Sequence, residues 1–498
     1  MNLLAAHTNA LVGIVTGFVA TPYLLHWLGV ERVGLFRVAT EWAGYLTLFE
    51  VGVSGALAPL IVQARASTNP NQLIAMLVSG FRAYARVAAY SLIAGAILLL
   101  MLPALARTPP DLEFELRLGF AVSLLTHLVL PLYVYKALAD AMQRNYLISM
   151  LLTLQTVFTA AGCVAAAYSG WGLVGQFGVT ALGTVIVPLG LLILLWHYAP
   201  LWELLRPPID LTDATRRLRG LNRDTLIYQL VGRVCLFTDT AVVSLVLGPA
   251  AAAIFFVTTR LPQAISTQVQ AMGGATWAGL AELYQNGQHE RFRRRLIELT
   301  RFTAIFSGAV LVPCAILTRP FVELWVGPEL YAGDWVCVLA VLNGYLLPVY
   351  SLWGWAFTGI GRVRRLLLYM VGQGILNAAG SIAATWAFGI AGPLIGTALV
   401  NLLYNPWLLV RYLRADFDLT PAALLSAVIV PLLPALVLAT GLFVTREILL
   451  FQSWWLLVVV FGTFVVVYLC MTWWFILGDG ERAWIRHMTR RILSPLSL

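Results

Sequence analysis

Charged residues are scarce in this chain. Of its 498 residues only 11% are charged, whereas 60% are hydrophobic, and the mean hydropathy is +0.84. A soluble protein carries roughly 25% charged residues. So few charges cannot keep this much apolar surface in water, which excludes a soluble globular protein and indicates one that is surrounded by lipid.

The chain also lacks the residue patterns of metal centres, redox sites and nucleotide-binding loops. Its five cysteines and six histidines are scattered singly, and no pair has metal-ligand or redox spacing. No HExxH, phosphate-loop or GxSxG pattern is present. The sequence therefore predicts no catalytic residue, no metal site and no cofactor, and it indicates that the protein is not an enzyme.

Apolar runs long enough to cross a bilayer, about 20 residues each, recur along nearly the whole chain. They predict an all-α, polytopic membrane protein with about fourteen transmembrane helices. The first run lacks the basic start and cleavage site of a removable signal, so we expect it to be a permanent span. The predicted spans are 8–29, 34–60, 82–104, 117–139, 147–168, 172–197, 225–247, 252–279, 301–318, 335–358, 366–388, 393–412, 421–444 and 453–477.

A constant offset of 219 positions relates the two halves of the chain. It places Gly29 on Gly248, Gly170 on Gly389, and Arg82 on Arg301. Six spans in each repeat would give both halves the same orientation. The expected fold is therefore two six-helix lobes in a pseudo-two-fold repeat about an axis along the membrane normal, plus two C-terminal helices.

This repeat predicts the organisation of the whole chain. The N-lobe is expected at 1–198, a cytoplasmic linker at 199–224, the C-lobe at 225–414, two further helices at 415–478 and a basic tail at 479–498. The tail has apolar residues on one helical face, which predicts an amphipathic helix on the inner membrane surface. The alternative interpretation is a disordered basic tail.

Most of the 32 lysines and arginines fall in alternate loops. With the N-terminus in the cytoplasm, the outer loops contain only Arg32, Arg107, Arg117, Arg319 and Arg446. Basic residues concentrate in cytoplasmic loops, so both termini are predicted to be cytoplasmic. The net charge of +9 is then mainly an orientation signal, and nucleic acid is not an expected partner.

Six ionisable side chains fall inside the predicted spans. Charges in hydrocarbon are costly and usually face a cavity or one another, so we expect these six to lie in a cleft between the lobes. Two interpretations stay open: the charges pair permanently and hold the lobes together, or they bind a substrate and a coupling ion. The six residues are Arg37, Glu41, Glu50, Arg233, Asp239 and Arg260.

In the second interpretation the arginines bind an anionic substrate. Arg37, Arg233 and Arg260 are the candidates, because a planar guanidinium group can bond two phosphate oxygens at once. Gln229 and Gln263 are the nearby side chains expected to hydrogen-bond sugars.

The acidic residues are the candidates for ion coupling or gating. Glu41 follows Arg37 by one helical turn, where a salt bridge can form, and Glu50 is expected to pair with Arg233 closer to the inner face. Asp239 is the third acid. The sequence leaves open whether Na⁺ or H⁺ would be the coupling ion.

Several segments resemble Wzx-type polysaccharide flippases, in the polysaccharide transporter branch of the multidrug/oligosaccharidyl-lipid/polysaccharide exporter superfamily. Segments 28–36 (LGVERVGLF) and 48–57 (LFEVGVSGAL) resemble the opening of that family. Segment 237–240 (FTDT), segment 320–327 (PFVELWVG), and segment 359–362 (GIGR) followed by Leu376 and Asn377 are similar to its later motifs. The resemblance covers essentially all of 1–478.

The resemblance implies a MATE-like fold, shared with multidrug exporters and the lipid II flippase. It also implies alternating access of an undecaprenyl-diphosphate-linked oligosaccharide, such as an O-antigen, capsule or exopolysaccharide repeat unit, across a bacterial inner membrane. The implied partners are this lipid-linked oligosaccharide, membrane lipid and other polysaccharide-assembly membrane proteins. Of the six charged residues, Glu50 and Asp239 match positions where the family often has an acid.

Two alternatives remain beside a flippase. One is a cation-coupled small-molecule or multidrug antiporter of the same fold, although three arginines in a cleft do not suit an organic cation. The other is a membrane glycan polymerase or ligase, although such enzymes usually need a sizeable outer loop or domain, which this chain lacks.

Overall fold

A computed structural model of the protein describes residues 2–67, 70–205, 210–219, 239–274, 276–449, 453–483 and 486. Within these ranges the chain is helical and contains no β-strand. The prediction of an all-α fold is therefore confirmed.

The first half of the chain contains ten α-helices among the described residues. Two 3₁₀ segments interrupt them, Thr47–Phe49 after α2 and Leu125–Tyr133 after α5. The helices are α1 (Asn2–Leu28), α2 (Val30–Leu46), α3 (Val51–Ala66), α4 (Pro70–Leu105), α5 (Glu113–Leu124), α6 (Val134–Ala141), α7 (Asn145–Tyr168), α8 (Gly172–Leu195), α9 (Leu201–Leu205) and α10 (Thr212–Arg219).

The second half continues with eleven described α-helices. A π-helical turn, Val400–Tyr404, joins α18 to α19. The helices are α11 (Asp239–Leu247), α12 (Pro249–Gly274), α13 (Trp277–Gln285), α14 (His289–Leu311), α15 (Cys314–Trp325), α16 (Asp334–Gly359), α17 (Val363–Phe388), α18 (Gly392–Leu399), α19 (Asn405–Phe417), α20 (Pro421–Leu449) and α21 (Trp454–Phe475).

The described helices make this a multi-pass membrane protein. Ten helical stretches are long and apolar enough to span a membrane, and an eleventh is a pair bent by 57°, Val30–Phe49 with Val53–Ala66. The predicted span 225–247 is described only in α11, and the predicted span 252–279 corresponds to the more polar helix α12. The described helices are thus consistent with the predicted count of fourteen.

One of the ten stretches, Val363–Phe417, contains a chain reversal. The Ser381 hydroxyl donates to the carbonyl of Pro393 at 3.2 Å, whereas twelve residues of straight helix would separate these residues by about 18 Å. Gly389, between them, has a φ of 64°. Glycine adopts such positive φ values without a steric penalty. Helices α17 and α18 therefore run in opposite directions, as predicted for spans 366–388 and 393–412.

The two halves repeat the same local geometry at the offset of 219. Gly29 has a φ of 81° and Gly248 a φ of 96°. The N–H of Gly29 donates to Leu25 at 3.2 Å, and the N–H of Gly248 donates to Ser244, the equivalent residue, at 2.8 Å. Equivalent residues thus form equivalent helix ends.

Helix boundaries follow the same offset. Helix α3 ends at Ala66 and α13 ends at Gln285, while α4 begins at Pro70 and α14 begins at His289. The expectation of an internal repeat with two additional C-terminal helices, which is part of the predicted fold class, agrees with these boundaries.

The chain divides into two compact units, Met1–Phe255 with Met370–Pro393, and Phe256–Tyr369 with Leu394–Leu498. The first unit has a core from α3, α4, α6, α7 and α8 that includes Leu57, Val78 and Leu191. In the second unit α14, α20 and α21 pack through Ala309 and Tyr468 among others. The domain boundaries predicted from the repeat divide the chain differently and stay a prediction, and most of the predicted tail lies outside the described residues.

Candidate functional site

Glu41 lies on α2 and contacts the first turn of α11. Its Oε2 atom accepts the backbone N–H of Ala241 at 3.1 Å, and its carboxyl group also hydrogen-bonds to the side chain of Thr240. The first N–H groups of a helix have no acceptor within the helix. A carboxylate placed there is stabilised by these donors and by the helix dipole. Glu41 therefore caps α11 from 200 positions away in the sequence.

Two further charged residues lie near Glu41 and form a cluster with it. Asp239, the first residue of α11, lies close enough to Glu41 for their carboxyl groups to repel each other, and Arg37 attracts the Glu41 carboxylate. All three side chains are half-buried. Arg37, Glu41 and Asp239 together form a group of one basic and two acidic side chains, the Arg37–Glu41–Asp239 cluster.

Neighbouring segments of the first unit hold α11 in place. The Ser244 hydroxyl donates to the carbonyl of Ala106 at 3.0 Å, and the guanidinium group of Arg107 donates to the carbonyl of Val246. At Gly34 on α2, an added Cβ would lie 1.9 Å from the carbonyl oxygen of Pro249. Glycine is thus required at position 34 for α2 to approach the segment that follows α11.

The part of helix α12 that lies in the second unit, from Phe256 onwards, carries two sets of polar side chains. One set bonds to neighbouring protein segments: Ser266 and Gln270 bond to α16 at 3.0 Å and 2.6 Å, and Thr258 accepts an N–H from the segment before α16 at 2.8 Å. These side chains are interhelix contacts, which are common for polar residues in membrane helices.

The other set on α12 contains two of the predicted site residues. Arg260, Gln263 and Thr267 follow one another at intervals of three and four, which places them along one stripe of the helix. Gln263 and Thr267 are exposed, and Arg260 is half-buried with its guanidinium group 5.4 Å from the centre of the Phe256 ring. Arg260 and Gln263 were predicted from the sequence, whereas Thr267 was not. Its spacing of four residues from Gln263 is the feature of the sequence that could have indicated it.

Glu50 belongs to a different group of side chains in the first unit. It lies between the 3₁₀ segment Thr47–Phe49 and α3. Its carboxylate acts electrostatically on the hydroxyl groups of Tyr84 and Tyr133, whose rings lie 6.2 Å apart. Arg233 and Gln229, which were predicted to complete the site, lie outside the described residues.

Three asparagines in the second unit form a buried chain of amide hydrogen bonds that the sequence did not predict. Asn405 donates to Asn401 at 2.8 Å, Asn401 donates to Asn343 at 3.0 Å, and Asn343 donates to the carbonyl of Leu394 at 2.9 Å. Asn405 is fully buried, and the π-helical turn Val400–Tyr404 lies directly before it. Such turns are frequent at functional sites. The signal in the sequence was two amides four residues apart within an apolar span.

No group of three or more His, Cys, Asp or Glu side chains that could hold a metal ion occurs in the part of the chain that the structure describes. Each unit contains its own candidate group of polar side chains: the cluster Arg37–Glu41–Asp239 in the first unit and the stripe Arg260–Gln263–Thr267 in the second.

The fold that carries these groups is the MATE-like fold of polytopic membrane proteins. The lipid II flippase MurJ in an inward closed conformation superposes with a TM-score of 0.69 over 95% of this chain and 98% of that chain, at 12% sequence identity. An inward-facing multidrug resistance MATE family transporter of the MOP superfamily superposes with a TM-score of 0.66 over 82% of this chain and 95% of that chain, at 15% identity.

An outward-facing transporter of the same description gives a TM-score of 0.56 over 84% of this chain and 95% of that chain, at 14% identity. No protein-family model and no curated protein sequence matches the chain. These structural similarities establish the fold, as the resemblance to Wzx-type flippases implied.

Proposed function

We propose that this protein is a flippase that moves an undecaprenyl-diphosphate-linked oligosaccharide from the inner to the outer leaflet by alternating access. The observation that carries the proposal is the extent of the structural similarity, because MurJ covers 95% of this chain and the inward-facing MATE transporter covers 82%. Residues 418–498 make up about 16% of the chain. A superposed structure that lacks equivalents of α20 and α21 would leave about this share of the chain uncovered. The 95% coverage by MurJ therefore includes these two helices.

The proposed substrate site uses the stripe on α12. Arg260 offers a planar guanidinium group that can bond two oxygens of a diphosphate, and the exposed side chains of Gln263 and Thr267 can hydrogen-bond sugar hydroxyl groups. Arg37, on the first unit, is a further candidate for binding the anionic substrate because of its residue type. Arg233 and Gln229 complete the proposed set, and this assignment rests on their residue types and sequence positions.

The proposed coupling device is the Arg37–Glu41–Asp239 cluster, with Glu50 as a further acid. Uptake of H⁺ or Na⁺ by the two carboxyl groups would relieve their repulsion and weaken the charged hydrogen bond that the Ala241 N–H donates to Glu41. The cap on α11 would then change strength with ion occupancy. A coupled transporter needs an element whose two states bind an ion differently, and α11 is that element in this proposal.

A second candidate is a cation-coupled multidrug antiporter, which is favoured by the superposition with MATE transporters and by the two neighbouring acids. Arg260 argues against it, because a cationic drug is repelled by an arginine in the binding site. In the flippase proposal the protein is not an enzyme. It lies in a bacterial inner membrane with both termini in the cytoplasm, alongside other polysaccharide-assembly membrane proteins.

Deletion of the gene from cells that naturally contain it tests the proposal. Deletion is expected to remove the polysaccharide and to accumulate the lipid-linked oligosaccharide on the inner leaflet, and the wild-type gene is expected to reverse both effects. Unchanged polysaccharide together with new sensitivity to organic cations would support the antiporter instead.

A further inference from the structure

The two repeats differ in what covers one face of a pair of equivalent helices, α4 and α14. In the second unit, α14 is covered by the C-terminal helices α20 and α21. Ala309 on α14 and Val312 directly after its last residue are buried, with 1% and 4% exposure, in a cluster with Phe464 and Tyr468. At Gly308 an added Cβ would lie 2.6 Å from the Tyr468 hydroxyl oxygen. The covered face of α14 is thus in close contact with α21.

A charge is also neutralised at one end of this covered face. The guanidinium group of Arg301 donates to both carboxylate oxygens of Glu481, at 2.9 Å and 3.0 Å. Glu481 follows α21 and also accepts the N–H of Gly478 at 3.0 Å. The segment after α21 therefore supplies the acid that pairs with Arg301.

The equivalent face of α4 in the first unit is open. The offset of 219 relates Arg82 to Arg301, Tyr90 to Ala309 and Ile93 to Val312. The exposed apolar stripe of α4 consists of Tyr90 (57%), Ile93 (62%), Ile97 (56%) and Leu100 (74%). Positions that are buried beneath the C-terminal helices in one repeat are thus uncovered in the other.

Two exposed arginines, Arg82 and Arg86, lie at the end of this stripe. The Nε of Arg86 donates to the carbonyl of Arg82 at 3.3 Å, so its side chain folds back towards Arg82. In the described ranges no carboxylate lies within ion-pair distance of either guanidinium group. From Val87 to Leu105 the helix rises about 27 Å, close to the hydrocarbon thickness of about 30 Å. A hydrocarbon layer that covers Val87–Leu105 would therefore have both arginines at its boundary with the headgroups.

We propose that α4 carries a binding site for an anionic phospholipid, with Arg82 and Arg86 holding the headgroup phosphate and the apolar stripe Tyr90–Leu100 holding the acyl chains. Charge complementarity selects this occupant, because two guanidinium groups one turn apart can share the oxygens of a phosphate. Basic groups at the end of a membrane helix attract anionic headgroups. The site lies apart from the Arg37–Glu41–Asp239 cluster and does not depend on the proposed flippase activity.

Native mass spectrometry of the purified full-length protein tests the headgroup contact. The protein is mixed with equal concentrations of phosphatidylglycerol or phosphatidylcholine, and the retained lipid is counted for wild type and for the double variant R82Q/R86Q. The matched control is R216Q/R217Q, which removes two exposed arginines from α10, outside the candidate spans.

The wild type and the control are expected to retain phosphatidylglycerol in preference to phosphatidylcholine. The affinity of R82Q/R86Q for phosphatidylglycerol is expected to fall about thirtyfold, with thermal unfolding unchanged. Equal retention of both lipids by the wild type, or undiminished phosphatidylglycerol retention by R82Q/R86Q, would overturn the proposal.

Photo-crosslinking tests the acyl-chain contact. Phosphatidylglycerol with a photoactivatable acyl chain is expected to label residues 90–101 of the wild type, and this labelling is expected to disappear in R82Q/R86Q. Equal labelling by the corresponding phosphatidylcholine would show that ordinary bulk lipid covers this face. Crosslinks from α4 to a second protein chain would show that a protein covers it, and either result would overturn the proposal.

Discussion

The carboxylate of Glu41 accepts the backbone N–H of Ala241 at 3.1 Å and thereby joins α2 to the first turn of α11. Glu41→Ala is expected to lower the free energy of unfolding by about 1–3 kcal/mol, because it leaves this N–H without its acceptor. Glu41→Gln keeps an acceptor oxygen and is expected to cost less. Thermal unfolding in detergent measures both.

The matched control for this prediction is Thr40→Ala, which changes the neighbouring exposed residue, whose hydroxyl donates to the carbonyl of Phe36 in its own helix. It is expected to change stability by less than about 0.5 kcal/mol. A Glu41→Ala protein as stable as the Thr40→Ala protein would show that the cap on α11 contributes nothing to stability.

Substitution of Asp239, which lies near Glu41, tests the coupling proposal. Asp239→Asn removes the repulsion between the two carboxyl groups, so transport by this variant is expected to stop responding to an imposed H⁺ or Na⁺ gradient. Asp210→Asn is the control, because Asp210 is exposed and bonds to Thr212 nearby in sequence. Transport is measured in vesicles with and without each gradient. A gradient response like that of wild type would rule out the coupling role of Asp239.

Substitution of Arg260 tests the proposed substrate site. Arg260→Gln is expected to slow transport of the lipid-linked oligosaccharide at least about tenfold, and Arg260→Lys to have an intermediate effect because lysine cannot bond two phosphate oxygens with a planar fork. Arg364→Gln, at an exposed position of α17, is the control for the loss of one positive charge. If folded Arg260→Gln protein transports at the wild-type rate, Arg260 does not bind the substrate.

Gly34 tests the close approach of α2 to Pro249. Gly34→Ala is expected to destabilise the protein by about 3 kcal/mol or more, because its Cβ would overlap the Pro249 carbonyl. Gly178→Ala is the matched control, since an added Cβ on this helical glycine would meet nothing within 4 Å. Comparable unfolding temperatures for the two variants would contradict the packing described here.

The asparagine chain gives a further stability prediction. Asn401→Leu removes the middle amide from this series of three hydrogen-bonded asparagines. The side-chain oxygen of Asn343 then loses its donor, and the side-chain NH₂ group of Asn405 loses its acceptor. The expected cost is about 2 kcal/mol, measured by thermal unfolding. Leu403→Ala, at a position that is 66% exposed, is expected to cost much less. An Asn401→Leu protein that is as stable as wild type would show that these amide bonds are dispensable.

Much of the fold could be predicted from the sequence, because hydropathy and turn glycines are local signals. Gly29, Gly248 and Gly389 all have positive φ, as expected for residues that end one helix and permit a reversal. The break at Thr47–Phe49 could not be predicted, because neither proline nor glycine lies in that 3₁₀ segment.

Less of the candidate site could be predicted. The sequence identified Glu41, Asp239 and Arg260 as charges in apolar surroundings, but it related Glu41 only to other charged side chains, its neighbour Arg37 among them. The Ala241 N–H is 200 positions away, and a backbone donor leaves no mark in a residue pattern. The asparagine chain was missed for a related reason, because single amides in apolar spans are usually isolated interhelix contacts.

Reconstitution of the purified chain into vesicles tests the flippase proposal most directly. An undecaprenyl diphosphate bearing a fluorescent oligosaccharide is placed in one leaflet, and its arrival in the other is followed by a membrane-impermeant quencher. Wild type is expected to move the lipid faster than protein-free vesicles, and Arg260→Gln to move it at least about tenfold more slowly than wild type. Movement by wild type at the protein-free rate, under both H⁺ and Na⁺ gradients, would contradict the account.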